Sequence, residues 1–190
     1  MVTDRRQVLE AGAAAAMVGL SGAAFAQETP PGPPRANAST LHDFDFLAGE
    51  WRIANRRLKN PWGATPDWDV FDGEATCRSI LGGVGSIEEL RIPARNFAGM
   101  GLRLFDVEGK RWADYWVNAR NGILNPPPMW GGFEGGVGAF EADDMDGTTP
   151  IKVRGVWDRI TPASHRWRQA ASRDGGRTWE LNWSMDWTRA

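Results

Sequence analysis

The chain has 190 residues with 11 tryptophans, one tyrosine and one cysteine, and its charges nearly cancel to a formal −2. That balance, without a basic patch, leaves no electrostatic footprint for nucleic acid or an anionic membrane. The lone Cys77 excludes an intramolecular disulfide, so stability must come from the core.

Residues 1–26 begin with Asp4-Arg5-Arg6-Gln7-Val8-Leu9, run through a weakly apolar stretch and close on Ala24-Phe25-Ala26. A paired arginine, a short apolar region and an Ala-x-Ala site compose a cleavable twin-arginine export signal. Gly12, Gly19, Ser21 and Gly22 interrupt the apolar run, which is shorter than the ~20 strongly apolar residues of a membrane span. No cysteine follows the cleavage site to carry a lipid. We therefore expect a periplasmic or secreted protein with no membrane span once the signal is removed. Residues 27–38, rich in proline and glycine and without apolar periodicity, read as a linker. Residues 39–190 then form one domain.

Thr40-Leu41-His42-Asp43 has the spacing of a capping box, with Leu41, Phe44 and Leu47 on one face, and predicts a single short helix ending at Gly49. Everything beyond reads as strand: 51–59, 68–81, 86–92, 101–105, 111–118, 121–124, 132–134, 138–142, 151–160, 165–172 and 178–188. Turn signals at intervals of about ten residues favour a sandwich or barrel over alternating strand and helix.

Two hairpins can be read by residue. The turn at Asp174-Gly175-Gly176-Arg177 predicts Ala171 opposite Trp179, Gln169 opposite Leu181, Trp167 opposite Trp183 and His165 opposite Met185. These share one dry face, because side chains alternate along a strand. Arg166, Arg168, Glu180, Asn182, Ser184 and Asp186 make the other, wet face. Gln169 is polar on the dry side, and its amide needs a neighbour, a water or a ligand there; we expect a ligand. In the hairpin through Asp106-Val107-Glu108-Gly109-Lys110, Arg103 faces Asp114 beside Trp112 and Trp116. Leu102, Leu104, Ala113, Tyr115 and Val117 form its other face, and we expect this aliphatic set to point inward, with Arg103 and Asp114 paired outside.

A short helix, then Gly49-Glu50-Trp51 opening the first strand, then one antiparallel strand system ending at Trp187-Thr188-Arg189, resembles the calycin superfamily. Asp43-Phe44-Asp45-Phe46-Leu47-Ala48-Gly49-Glu50-Trp51 is similar to the opening of bacterial lipocalin-like domains. The resemblance implies an all-β, antiparallel up-and-down barrel of about eight to ten strands around a cavity. It also implies that Trp51 packs across the closed end under Arg189. It supplies no catalytic residue.

Ser172-Arg173-Asp174-Gly175-Gly176-Arg177-Thr178-Trp179 resembles the Asp-box hairpin of sialidases and other propellers. There Asp174 would staple the turn by accepting backbone hydrogen bonds, and Trp179 would pack beneath it. One copy cannot build a propeller, so the motif is structural. The acidic stretch around Asp143-Asp144-Met145-Asp146-Gly147 lacks side-chain oxygens at the first and last positions of a calcium loop, Ala142 and Val153. His42 and His165 have no zinc spacing. We expect no metal and no cofactor, with a haem on His165, as in the nitrobindin branch of the calycins, as the alternative.

Indoles make large apolar walls with a polar edge. The reading that follows is a binding barrel for a small hydrophobic or aromatic molecule, lined by Trp167, Gln169, Trp183, Met185, Tyr115 and His165. Two alternatives stand beside it: a cavity enzyme (isomerase, cyclase or hydrolase) using Gln169, Tyr115 or His165, and a carbohydrate- or partner-binding module using outward Trp112 and Trp116. For the export signal, the expected outcome is a mature chain starting at Gln27 by intact mass. Replacing Arg5 and Arg6 by lysine together should keep the precursor in the cytoplasm, as read by cell fractionation.

Overall fold

The computed structural model describes residues 30–34, 38–124 and 126–190. The proposed export signal and half of the proposed linker lie outside the described residues. Ten strands follow one another: β1 (Gly49–Leu58), β2 (Trp68–Ile80), β3 (Gly85–Ile92), β4 (Phe97–Asp106), β5 (Arg111–Asn118), β6 (Met129–Glu134), β7 (Val137–Asp146), β8 (Thr149–Asp158), β9 (Ser164–Ser172) and β10 (Glu180–Arg189). Each pairs antiparallel with its neighbours in sequence, and β1 pairs with β10, which closes the sheet into an up-and-down barrel of the calycin-like kind. Alternating burial, as in β4 from Phe97 to Asp106, follows from closure, since every second side chain points inward.

The predicted opening helix is shorter than expected. Thr40 donates to the Asp43 carboxylate from its backbone N, to Oδ2 at 2.8 Å, and from Oγ1, to Oδ1 at 2.7 Å, but the chain forms only a turn and a 3-10 segment over Asp45–Leu47. Phe44 and Leu47 are buried while Leu41 is exposed. The segment plugs one end of the barrel, and a full helix would carry Phe44 away from the rings of Trp112 and Phe133, 5.0 and 4.8 Å distant. Residues 121–124 do not form a strand; Leu124 makes only an isolated bridge to Val117. Part of the proposed linker is held to the barrel, for Pro31 is buried and its carbonyl accepts from Arg154 Nη1 at 3.1 Å.

At the plugged end Trp51, only 1% exposed, donates from Nε1 to the Leu47 carbonyl at 2.6 Å. Arg189 lies over the indole with Cζ 4.1 Å from the ring centroid, and donates to the carbonyls of Ala48 and Pro162. One residue pair thus joins the first strand, the last strand and the plug. Truncating a buried aromatic to alanine costs ~3–5 kcal/mol, comparable with the stability of a marginal domain. Trp51→Ala should therefore yield little soluble protein, and an unchanged melting temperature in that variant would contradict the closing role.

Candidate functional site

Above the plug the barrel holds a partly open cavity of about 70 Å³. One water needs ~10–15 Å³ on this scale, so the space takes a molecule of ring size rather than a drug-sized ligand of ~300 Å³ or more. Trp116, Trp157, Trp167, Trp183 and Trp187, with Leu90, Met129 and Met185, make the apolar walls. Glu88, Arg103, Asp114 and Gln169 supply the polar groups.

Of the residues expected from sequence, Trp167, Gln169, Trp183 and Met185 border this cavity together. The hairpin carrying them is shifted from the expected register. Beyond a bulge between Leu181 and Trp183, Trp183 pairs with Gln169, Met185 with Trp167 and Trp187 with His165. The shift is two residues, which preserves the face; a shift of one would have inverted it. Asn182, at the bulge, accepts a hydrogen bond from Gln169 Nε2 at 3.1 Å. The Gln169 amide therefore has an internal partner, where a ligand had been expected. Nor is the outer face of β9 wet throughout: Arg166 is buried, and Arg166 and Arg168 converge on Asp158, with Arg166 Nε and Nη2 at 2.9 and 3.0 Å and Arg168 Nη2 at 2.6 Å. These guanidinium bonds hold the Asp158 carboxyl below the usual range, although burial works against them.

In the β4–β5 hairpin the expected register holds, with Arg103 opposite Asp114 and Leu102 opposite Tyr115. The faces are reversed. Arg103 is 4% exposed and Trp112 1% exposed inside the barrel, while Leu102 and Tyr115 lie on the outer face. Tyr115 is thus not a cavity residue, and Trp112 and Trp116 are not an outward sugar platform. The physical reason is that the barrel meets the arginine's charge inside. Arg103 Nη2 donates to Glu88 Oε2 at 2.6 Å, Nε lies 3.6 Å from Asp114 Oδ1, and the guanidinium carbon sits 5.0 and 5.1 Å from the rings of Trp157 and Phe44. Burial opposes the charge on Arg103, but the facing carboxylates hold its pKa up. Glu88 feels the converse: burial pushes its carboxyl up, Arg103 opposes that, and Asp114 adds a like charge.

Inward glycines make the room. A side chain at Gly99 would strike the Trp116 ring, and one at Gly101 would crowd the Arg103 guanidinium at 3.0 Å. Arg103, Glu88 and Asp114 are the site residues that sequence reasoning missed. The signal that could have found them is this alternation of Gly99, Gly101 and Arg103 along one face, which fits a crowded interior better than a solvated surface.

His165, on β9, packs against the plug. It is 2% exposed, its ring centroid is 4.4 Å from Trp51, 4.9 Å from Trp187, 5.1 Å from Phe46 and 5.5 Å from Trp157, and neither nitrogen has a hydrogen-bond partner. A haem does not fit beside it: four aromatic rings enclose the imidazole, and the cavity is far smaller than the macrocycle. Gln169, Tyr115 and His165 occupy the cavity wall, the outer face and the border of the plug respectively, so they do not assemble a common reaction centre. Among the described residues no cluster of three or more histidine, cysteine or acidic side chains is placed to hold a metal, and no helix is long and apolar enough to cross a membrane.

The opposite end carries the Asp-box turn. Asp174 Oδ1 accepts from Arg177 N and Thr178 N at 3.0 and 2.9 Å, and Oδ2 accepts from Thr178 Oγ1 at 2.7 Å. These bonds hold its carboxyl well below the usual carboxylate range. Trp179 Nε1 donates to the Gly176 carbonyl at 2.9 Å, and Arg154 lies 3.7 Å over the indole.

No protein-family model and no curated protein matches the chain. Among solved structures, it is similar to a protein of unknown function of the DUF3598 family from Nostoc punctiforme, with 12% identity, a TM-score of 0.43 and 83% of this chain covered. The chain spans about half, 51%, of that structure. It is also similar to an S-type phycobiliprotein lyase from Guillardia theta, with 8% identity, a TM-score of 0.47, and 77% of this chain and 90% of that chain covered. These likenesses concern the barrel and not its contents.

Burial, together with the positive charges of Arg103 and Arg189, pushes the His165 imidazole down to about 3. In the unfolded chain the same ring takes up a proton below pH ~6.5. The unfolded state therefore binds more protons between these values, and stability falls as pH drops through the window, by at most ~1.4 kcal/mol per pH unit. Denaturant midpoints should decline between pH 7 and pH 5 in the native protein and decline less in His165→Phe. Equal slopes in the two proteins would remove His165 as the source.

Proposed function

We propose that this protein binds a small, flat, largely apolar molecule inside the barrel, with the export signal at Arg5-Arg6 directing it to the periplasm. The observation that carries the reading is the cavity itself, bordered by five indoles and two methionines around a space that Gly99 and Gly155 keep open. Indoles offer wide faces to a planar ligand, and methionine adapts to its outline. A barrel built only for stability would fill this volume, since each unfilled methyl-sized void costs on the order of 1 kcal/mol. The enzyme reading loses its proposed trio, and the outward-indole reading loses Trp112 and Trp116 to the interior.

Indole and naphthalene should quench the tryptophan emission of the mature protein saturably and raise its melting temperature, by ~2.7 kcal/mol of added stability at a ligand concentration of 100 Kd. Met129→Trp places bulk in the cavity at an overpacking cost of ~1–3 kcal/mol and should abolish saturable quenching while the barrel stays folded by circular dichroism. Saturable binding that survives Met129→Trp would place the ligand elsewhere, and no saturable binding by the native protein would refute the proposal.

A further inference from the structure

Among the described residues, four buried polar atoms on cavity-bordering side chains have no hydrogen-bond partner: Arg103 Nη1 and Nε, and the Nε1 of Trp157 and of Trp187. All four are donors. No carboxylate or amide oxygen among the described residues bordering the cavity is left in that state. An unmet buried donor costs free energy until an acceptor arrives, so the site has an unspent demand for acceptors.

Charge decides which acceptors qualify. The guanidinium of Arg103 is already faced by two carboxylates, Glu88 at 2.6 Å and Asp114 at 3.6 Å. An anionic ligand entering beside them would add a third negative charge in a poorly solvated space, where like charges repel far more strongly than in water. A neutral carbonyl-type oxygen meets the donors without that repulsion. Resting on the binding role proposed above, we infer that the ligand is an uncharged, planar ring compound bearing a carbonyl-type acceptor, and that Arg103 is the residue that selects it.

The inference separates from the binding role by comparing three probes of one shape: indane, 1-indanone and indane-1-carboxylate, each titrated against native protein by tryptophan quenching. One hydrogen bond from a charged donor favours 1-indanone over indane by about tenfold or more, and the carboxylate should bind no better than indane. Arg103→Met alone strands the Glu88 charge, so the informative variant is Arg103→Met with Glu88→Leu, which removes both members of the pair. That variant should lose the preference for 1-indanone over indane. Independently of any variant, the carbonyl stretch of bound 1-indanone should shift to lower frequency in the native protein. Equal affinity for indane and 1-indanone, tightest binding of the carboxylate, a preference that survives the double variant, or an unshifted stretch would each overturn the inference while leaving cavity binding intact. Failure of all three probes to bind would overturn the binding role together with it.

Discussion

Pairing of β1 with β10 is the constraint on which the rest of the molecule depends. It sets Trp51 opposite Arg189, Ile53 opposite Trp187 and Arg57 opposite Trp183, and so converts a ten-strand meander with two raw edges into a cylinder with none. The ends of the chain's folded part are locked where the closure is made. Trp51 holds the plug through the Leu47 carbonyl, and Arg189 covers the indole while tying the Ala48 and Pro162 carbonyls to it. Without closure there would be neither an inside face for the glycines to relieve nor a floor beneath the cavity.

Inside that cylinder a buried ion pair sits among aromatic rings. Such pairs stabilise less than their geometry suggests, because desolvating two charges offsets much of their attraction. The two partners experience the same site unequally: Arg103 is faced by two carboxylates, whereas Glu88 is faced by one guanidinium and one like charge. The group places polarity in the wall of an otherwise apolar space. The neutral His165 against the plug below is the opposite solution, an ionisable ring kept uncharged by its surroundings.

The far end is ordered by a different device. Trp62, in the connection from β1 to β2, donates from its backbone N to both carboxylate oxygens of Glu180 at 2.9 Å and from Nε1 to Asp146 Oδ2 at 2.9 Å. Glu180 opens β10, the neighbour of β1, and Asp146 ends β7, four strands from β1 around the barrel, so this connection is tied both to an adjacent strand and to a distant one. Trp62 adopts a φ of 68°, a conformation costly for a bulky residue and held here by these bonds and by the Arg173 guanidinium 4.3 Å over its ring. The acidic β7–β8 turn is thereby used as a tether, and the Asp-box turn supplies the arginine.

Local chemistry was legible in the residues themselves. Turn spacing and period-two alternation implied an antiparallel strand system, and the position of Gly49-Glu50-Trp51 implied a calycin-like barrel. Asp106 to Lys110 implied the pairing of Arg103 with Asp114, because each of these is decided within a few residues of the turn. What the residues alone did not decide was which face of β4 and β5 turns inward. That choice depends on Glu88, which only the β3–β4 pairing brings beside Arg103, and on rings from the plug and β8 that stack against the guanidinium. It was likewise the tertiary structure that gave Gln169 its partner, since a bulge two strand positions from the turn carried Asn182 to it. Alternation sorts side chains into two faces but carries no sign; the sign came from long-range neighbours that meet the buried charge.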